Sequence, residues 1–147
     1  MNPLNVGHLI RRFISSLSRR EPGVADIAWV NSQLLEGESR LWHRMTAADR
    51  RHSIAVARRF GGSGAWSRDE IAGALLHDVG KLESGLGTVS RSVATIVGPR
   101  TQRFRRYYAH ESLGADMLTA AGSSEITVEL VRGRGPAAAA LVEADNI

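Results

Sequence analysis

The sequence predicts an all-α chain, on three observations. Apolar residues recur at helical spacing in one segment after another. Two segments open on N-terminal capping patterns, Thr46-Ala-Ala-Asp49 and Ser67-Arg-Asp-Glu70. β-Branched runs are short, while glycine and alanine are plentiful. With 147 residues and 43% hydrophobic content, the chain is long enough to close one good core. No linker, repeat or low-complexity tract divides it, so a basic arm over residues 1–22 and a single domain over residues 23–147 are expected.

In the arm, Val6, Leu9, Ile10, Phe13 and Leu17 fall at helical spacing among Arg11, Arg12, Arg19 and Arg20, which reads as a short helix docked on the domain. Glu21-Pro22-Gly23 breaks it. Residues 24–35 read as a helix with Ile27, Val30 and Leu34 on one face, widened by Trp29 and Leu35. Glu36-Gly37 reads as a break, and Leu41, Trp42 and Met45 as a short apolar patch in which His43 is a surface or packing residue. Thr46 opens a helix to about Phe60. His52, Val56 and Phe60 share one face of it with Ala55 beside them, and Arg50, Arg51, Arg58 and Arg59 take the other faces. His52 therefore points inward.

Gly61-Gly62-Ser63-Gly64 is a connector, and Ser67 opens the next helix. That helix carries Ile71, Ala72, Ala74, Leu75 and Leu76, is apolar almost all round and should be central. Asp78 continues its stripe, and Gly80 supplies a C-terminal stop. Leu82 to Thr88 reads as a loop and Val89 to Val97 as a short helix ended by Gly98-Pro99. Four arginines mixed with aromatics follow, from Arg100 to Tyr108. His110 heads a stripe continued by Leu113, Gly114, Met117 and Leu118. Gly122-Ser-Ser is a turn, and Ile126 to Val131, which suits a helix or a strand, is read as helix. Gly133-Arg-Gly-Pro136 is a break. Pro136 opens the last helix, Ala137 to Ala144, with Ala138, Leu141, Val142 and Asp145 on one face.

Composition narrows the function classes. The absence of cysteine excludes disulfides and thiolate metal sites, and suits a reducing cytoplasm, the expected location. No apolar run approaches the ~18 residues of a membrane span. Met1 to Arg20 lacks the continuous apolar stretch of a signal peptide. The net charge of +4 and pI near 10.6 come almost wholly from arginine. Arginine suits phosphate-bearing partners, although such usage also fits plain solubility. No dedicated nucleic-acid motif is present, so nucleic acid is a possible partner but not a favoured one. Oligomeric state is open, with the arm and Trp29 as the interface candidates.

The chemistry concentrates in Leu75-Leu76-His77-Asp78-Val79-Gly80-Lys81, which ends on the chain's only lysine. Burying a polar group without a partner costs ~2–7 kcal/mol, and a charge more, so something should compensate this doublet. Inward polar residues recur: His52, His77, Asp78, His110 and Asp145 all lie on apolar stripes that packing would bring together. Imidazoles and carboxylates form a mixed nitrogen and oxygen set that suits one divalent ion such as manganese, iron, nickel, zinc or magnesium.

The pattern closely resembles the HD superfamily of metal-dependent phosphohydrolases, over residues from about 41 to 145. His52 in Asp-Arg-Arg-His-Ser-Ile-Ala-Val-Ala matches the family's first histidine. His77 and Asp78 in Ala-Leu-Leu-His-Asp-Val-Gly-Lys match its doublet, and Asp145 in Ala-Leu-Val-Glu-Ala-Asp matches its final aspartate. Tyr-Tyr-Ala-His110-Glu-Ser-Leu-Gly-Ala resembles its His-Pro-Glu-Ile-Gly-Ala segment. Two-metal members carry a further histidine in a later segment, here near Val131 to Gly135, which has none, so one metal is expected. The resemblance implies an all-α, HD-domain/phosphodiesterase-like helical bundle that hydrolyses a nucleotide or other small phosphoester. It implies His52, His77, Asp78 and Asp145 as metal ligands, with Asp78 orienting the attacking water. Lys81 and the arginines Arg100, Arg103 and Arg106 would contact the phosphate, and His110 would be a proton-transfer or substrate residue. The alternative is a non-catalytic module of the same type that binds a metal or phosphorylated ligand and a protein partner. A third reading is a basic nucleic-acid-binding protein with merely structural histidines.

Overall fold

The computed structural model describes residues 18–82 and 111–146, and among these every regular element is helical. Gly23 is extended, and helix α1 follows over Val24–Gln33. Helix α2 is Glu36–Arg44, so the expected break at Glu36-Gly37 falls instead at Leu34-Leu35, where both residues are extended. Two contacts account for the shift. The Glu38 carboxylate accepts the Leu35 backbone N–H at 2.8 Å and caps the new helix. Gly37 sits in the first turn because a Cβ there would overlap the Ala121 carbonyl oxygen. His43 is exposed, with Nε2 3.2 Å from Asn31 Oδ1, as a surface histidine should be.

Helix α3, Ala47–Gly62, is capped by Thr46, whose hydroxyl accepts the Asp49 N–H at 3.1 Å. Helix α4, Arg68–Leu75, has the full reciprocal box. Ser67 Oγ accepts the Glu70 N–H at 3.2 Å, and Glu70 Oε1 accepts the Ser67 N–H at 3.0 Å. A short 3₁₀ turn covers Val79–Leu82. Residues 111–120 form α5, Glu125–Val131 form α6 and Ala138–Asp145 form α7.

Helix α4 is central, as its all-round apolar surface requires. It packs against α1, α3 and α6, and residues 71–76 are buried along their whole length. Gly73 permits the approach of α6, since a Cβ there would stand 2.8 Å from Leu130 Cδ2. Trp42, Val56, Phe60, Leu75, Leu76 and Leu118 fill the centre. Two expected faces rotate. Ala55 faces solvent while Ser53 turns inward, because the buried Trp42 indole N–H donates to Ser53 Oγ at 2.9 Å. Val142 is exposed, and the buried side of α7 is Leu141 and Ala144, continued by Ala137 just before the helix, a narrow stripe that fits packing against α3.

A buried carboxylate ties three segments together. Glu38 has no exposed surface and accepts from Arg68 at 3.1 Å and from Ser123 Oγ at 2.6 Å, besides the Leu35 amide. Arg68 also donates to the Gln33 carbonyl at 2.8 Å and pairs with Asp69. Among the described residues no helix is long and apolar enough to cross a membrane. The expected arm helix, apart from its last residues, and the expected loop and helix over residues 83–97 lie outside the described residues.

Candidate metal centre

The centre begins where α4 stops. The Leu76 N–H donates to the Ala72 carbonyl at 3.0 Å and closes the last helical turn. In a continued α-helix the Ala74 carbonyl would accept the amide of residue 78. It accepts His77 Nδ1 instead, at 2.7 Å. The backbone then tightens, with Val79 N–H to Leu76 carbonyl at 3.0 Å and Lys81 N–H to Asp78 carbonyl at 3.1 Å. The His-Asp doublet therefore lies in a turn and not on the helix, as its stripe had suggested. Gly80 sits buried within the 3₁₀ turn, without the positive φ of a helix stop.

This local structure fixes the imidazole. A carbonyl only accepts, so Nδ1 carries the proton of that bond and Nε2 faces the site. Nε2 is buried and has no hydrogen-bond partner. Asp78 Oδ2 and Asp145 Oδ1 each stand 3.5 Å from it, within ion-pair range but beyond a good hydrogen bond. His52 enters from α3, with Nε2 2.8 Å from Asp145 Oδ1. The packing of α7 on α3 delivers Asp145, across 93 residues of sequence. His52, His77 and Asp145 each offer one ligand atom, and the three atoms lie within 4.8 Å of one another.

Of the four expected ligands, the structure groups these three and sets Asp78 beside them. Asp78 Oδ2 is 2.8 Å from Lys81 Nζ, whose ammonium also lies 4.0 Å from Asp49 Oδ1. His110, Arg100, Arg103 and Arg106 lie outside the described residues.

Burial opposes charge at His77, but Asp78, then Asp145 and the Ala74 carbonyl, outweigh it and raise the imidazole from 6.5 to about 9. Burial would likewise raise Asp78, yet the charges of His77 and Lys81 hold it well below the usual carboxylate range. The hydrogen bond from His52 and the proximity of His77 do the same for Asp145, again against burial. Metal-free, the centre thus pairs a protonated His77 with ionised carboxylates. A divalent cation could take the place of that proton.

The donor chemistry fits such an ion. Two imidazoles and a carboxylate converge, the ring of His77 is locked through its second nitrogen, and a second carboxylate stands in reach. Two neighbours were read in other roles in the sequence, Asp49 in the Thr46 capping pattern and Arg59 on another face. Asp49 precedes His52 by one turn of α3. Arg59 follows it by two turns and donates from Nε to the Ala144 carbonyl at 2.8 Å, so it does not occupy an unrelated face. The spacings i−3 and i+7 from His52 were the available signal. No protein-family model, curated protein or solved structure matches the chain.

Proposed function

We propose that the chain is a divalent-metal-dependent phosphohydrolase of the HD type, acting on a nucleotide or another small phosphoester. The observation that carries the reading is the buried Nε2 of His77, locked in orientation, without a hydrogen bond, 3.5 Å from the Asp78 and Asp145 carboxylates and grouped with His52. One ion would be held by His52, His77 and Asp145, with Asp78 as a nearby second carboxylate and fourth candidate ligand. When bound it would supply acidification of water and polarisation of a phosphoryl oxygen.

The remaining roles belong to the chain. Asp78, held anionic, orients the attacking water and accepts from it. Lys81, paired with Asp78 and near Asp49, presents an ammonium at the rim of the centre for a phosphoryl oxygen. Arg100, Arg103, Arg106 and His110 remain the proposed further contacts to the phosphate and the leaving group. A metal-binding module without turnover shares the same centre and differs only in rate.

Elemental analysis of protein purified without chelator tests the reading first. Close to one transition metal per chain, followed by metal-dependent phosphate release from a panel of nucleotides and small phosphoesters, supports the enzyme. Metal without turnover on that panel favours the binding module. No uptake of manganese, iron, nickel, zinc or magnesium overturns both.

A further inference from the structure

Helix α7 brings Asp145 to the centre with few means of its own. It has eight residues, Ala-Ala-Ala-Leu-Val-Glu-Ala-Asp, and Leu141 is its one large buried side chain. A helix this short does not hold itself together in water. Asp145 is also its last residue. The final carbonyls of a helix lack amide partners, and the partial negative charge there disfavours a carboxylate. Something must compensate that end if Asp145 is to stand in one place.

Helix α3 supplies the compensation at two points. His52 holds the Asp145 carboxylate at 2.8 Å, and Arg59, two turns further along, holds the adjoining carbonyl of Ala144 at 2.8 Å through Nε. The guanidinium gives a donor to an otherwise terminal carbonyl and a positive charge to the negative end of the helix. The bond is aimed one residue before the ligand, so it restrains the backbone that carries the carboxylate.

We infer that Arg59 is a positioning residue for the metal centre: it clamps the end of α7 so that Asp145 is presented to the ion together with His52 and His77. Arg59 itself touches neither metal nor substrate. This role rests on the metal reading above. Residues that orient ligands from outside the coordination sphere typically change metal affinity by about 10–100-fold when removed.

The test titrates cobalt(II) into the full chain, following its visible d–d bands, which report both affinity and coordination geometry. Wild type is compared with R59Q, R59M and R59K, and each metal-free variant is melted. R59Q and R59M should bind cobalt at least about tenfold more weakly, with an altered band shape, while remaining folded at the titration temperature. R59K, which keeps a donor and a charge, should recover much of the affinity. Equal affinity and equal spectra for R59Q and wild type overturn the inference and leave the metal centre standing. Failure of both R59Q and R59M to fold also overturns it, since Arg59 would then be a general stabiliser. If wild type takes up no cobalt, the metal reading falls first and the inference with it.

Discussion

Glu38 and His77 are both polar groups that the fold takes out of water, and their surroundings differ. The Glu38 oxygens meet the Leu35 amide, Arg68 and Ser123, so each demand of the buried carboxylate is answered within the chain. The His77 ring has one nitrogen bonded to the Ala74 carbonyl and the other buried without a hydrogen bond. A buried polar atom without a hydrogen bond is rare in native structures, and here Asp78 and Asp145 at 3.5 Å offer Nε2 charge without a good bond. The first arrangement joins α1, α2, α4 and the turn after α5. The second leaves one ring nitrogen beside the Asp78 and Asp145 carboxylates, in a group that could hold a cation. Completeness of partners, more than depth of burial, separates a structural polar group from one poised to bind.

Substitutions at the two places should fail in opposite ways. Glu38→Ala leaves Arg68 and the Ser123 hydroxyl without their shared acceptor. The expected loss is about 3 kcal/mol, the lower end for a broken buried pair because Arg68 is partly exposed. Denaturant unfolding measures it, and at temperatures where the variant is folded its cobalt affinity should match wild type. His77→Ala should abolish metal uptake, checked by elemental analysis. Its metal-free melting temperature, taken above pH 9, should move less than that of Glu38→Ala. If His77→Ala keeps a full metal complement, the contrast between the two regions collapses.

The pH response sharpens the same contrast. His77 is raised from 6.5 to about 9 in the folded state, so its contribution to metal-free stability is fully present below pH 6.5. That contribution is lost as the pH rises through 9. Asp78 and Asp145, both lowered from 3.8, contribute above that value and lose their share as acid protonates them below it. Metal affinity should climb over the interval in which His77 sheds its proton, which cobalt titrations at several pH values would follow. His77→Ala should flatten the stability profile between pH 6.5 and 9. The smallest effect is expected at a cap far from the chemistry. Ser67→Ala should cost about 1 kcal/mol in urea unfolding and leave metal affinity unchanged.

Much of this was legible in the residues, for reasons that can be named. The Ser67 box and the apolar run behind it marked α4 because capping and periodicity are local properties. His52 could be turned inward from its spacing to Val56 and Phe60. The position of the doublet was misread because the end of α4 depends on a competition for one carbonyl. His77 wins Ala74 from the backbone, and stripe periodicity has no term for that. The break before α2 moved for a local reason, the Glu38 cap on Leu35, and a tertiary one, the contact of Gly37 with Ala121. The face of α7 was drawn rotated towards Val142, because packing against α3 buries the stripe of Ala137, Leu141 and Ala144. Glu38 escaped notice altogether, since its partners Arg68 and Ser123 are 30 and 85 residues away.

The distance in sequence between His52 and Asp145 has a further consequence. An ion gripped by both residues would be a cross-link closing a loop of 93 residues. Closing a loop of that order by a disulfide removes chain entropy worth about 4–5 kcal/mol from the unfolded state. A metal link of this kind differs in being reversible by a chelator. Loaded protein should therefore resist unfolding and proteolysis as a covalently tied chain does, and EDTA should act on it as a reductant acts on a disulfide.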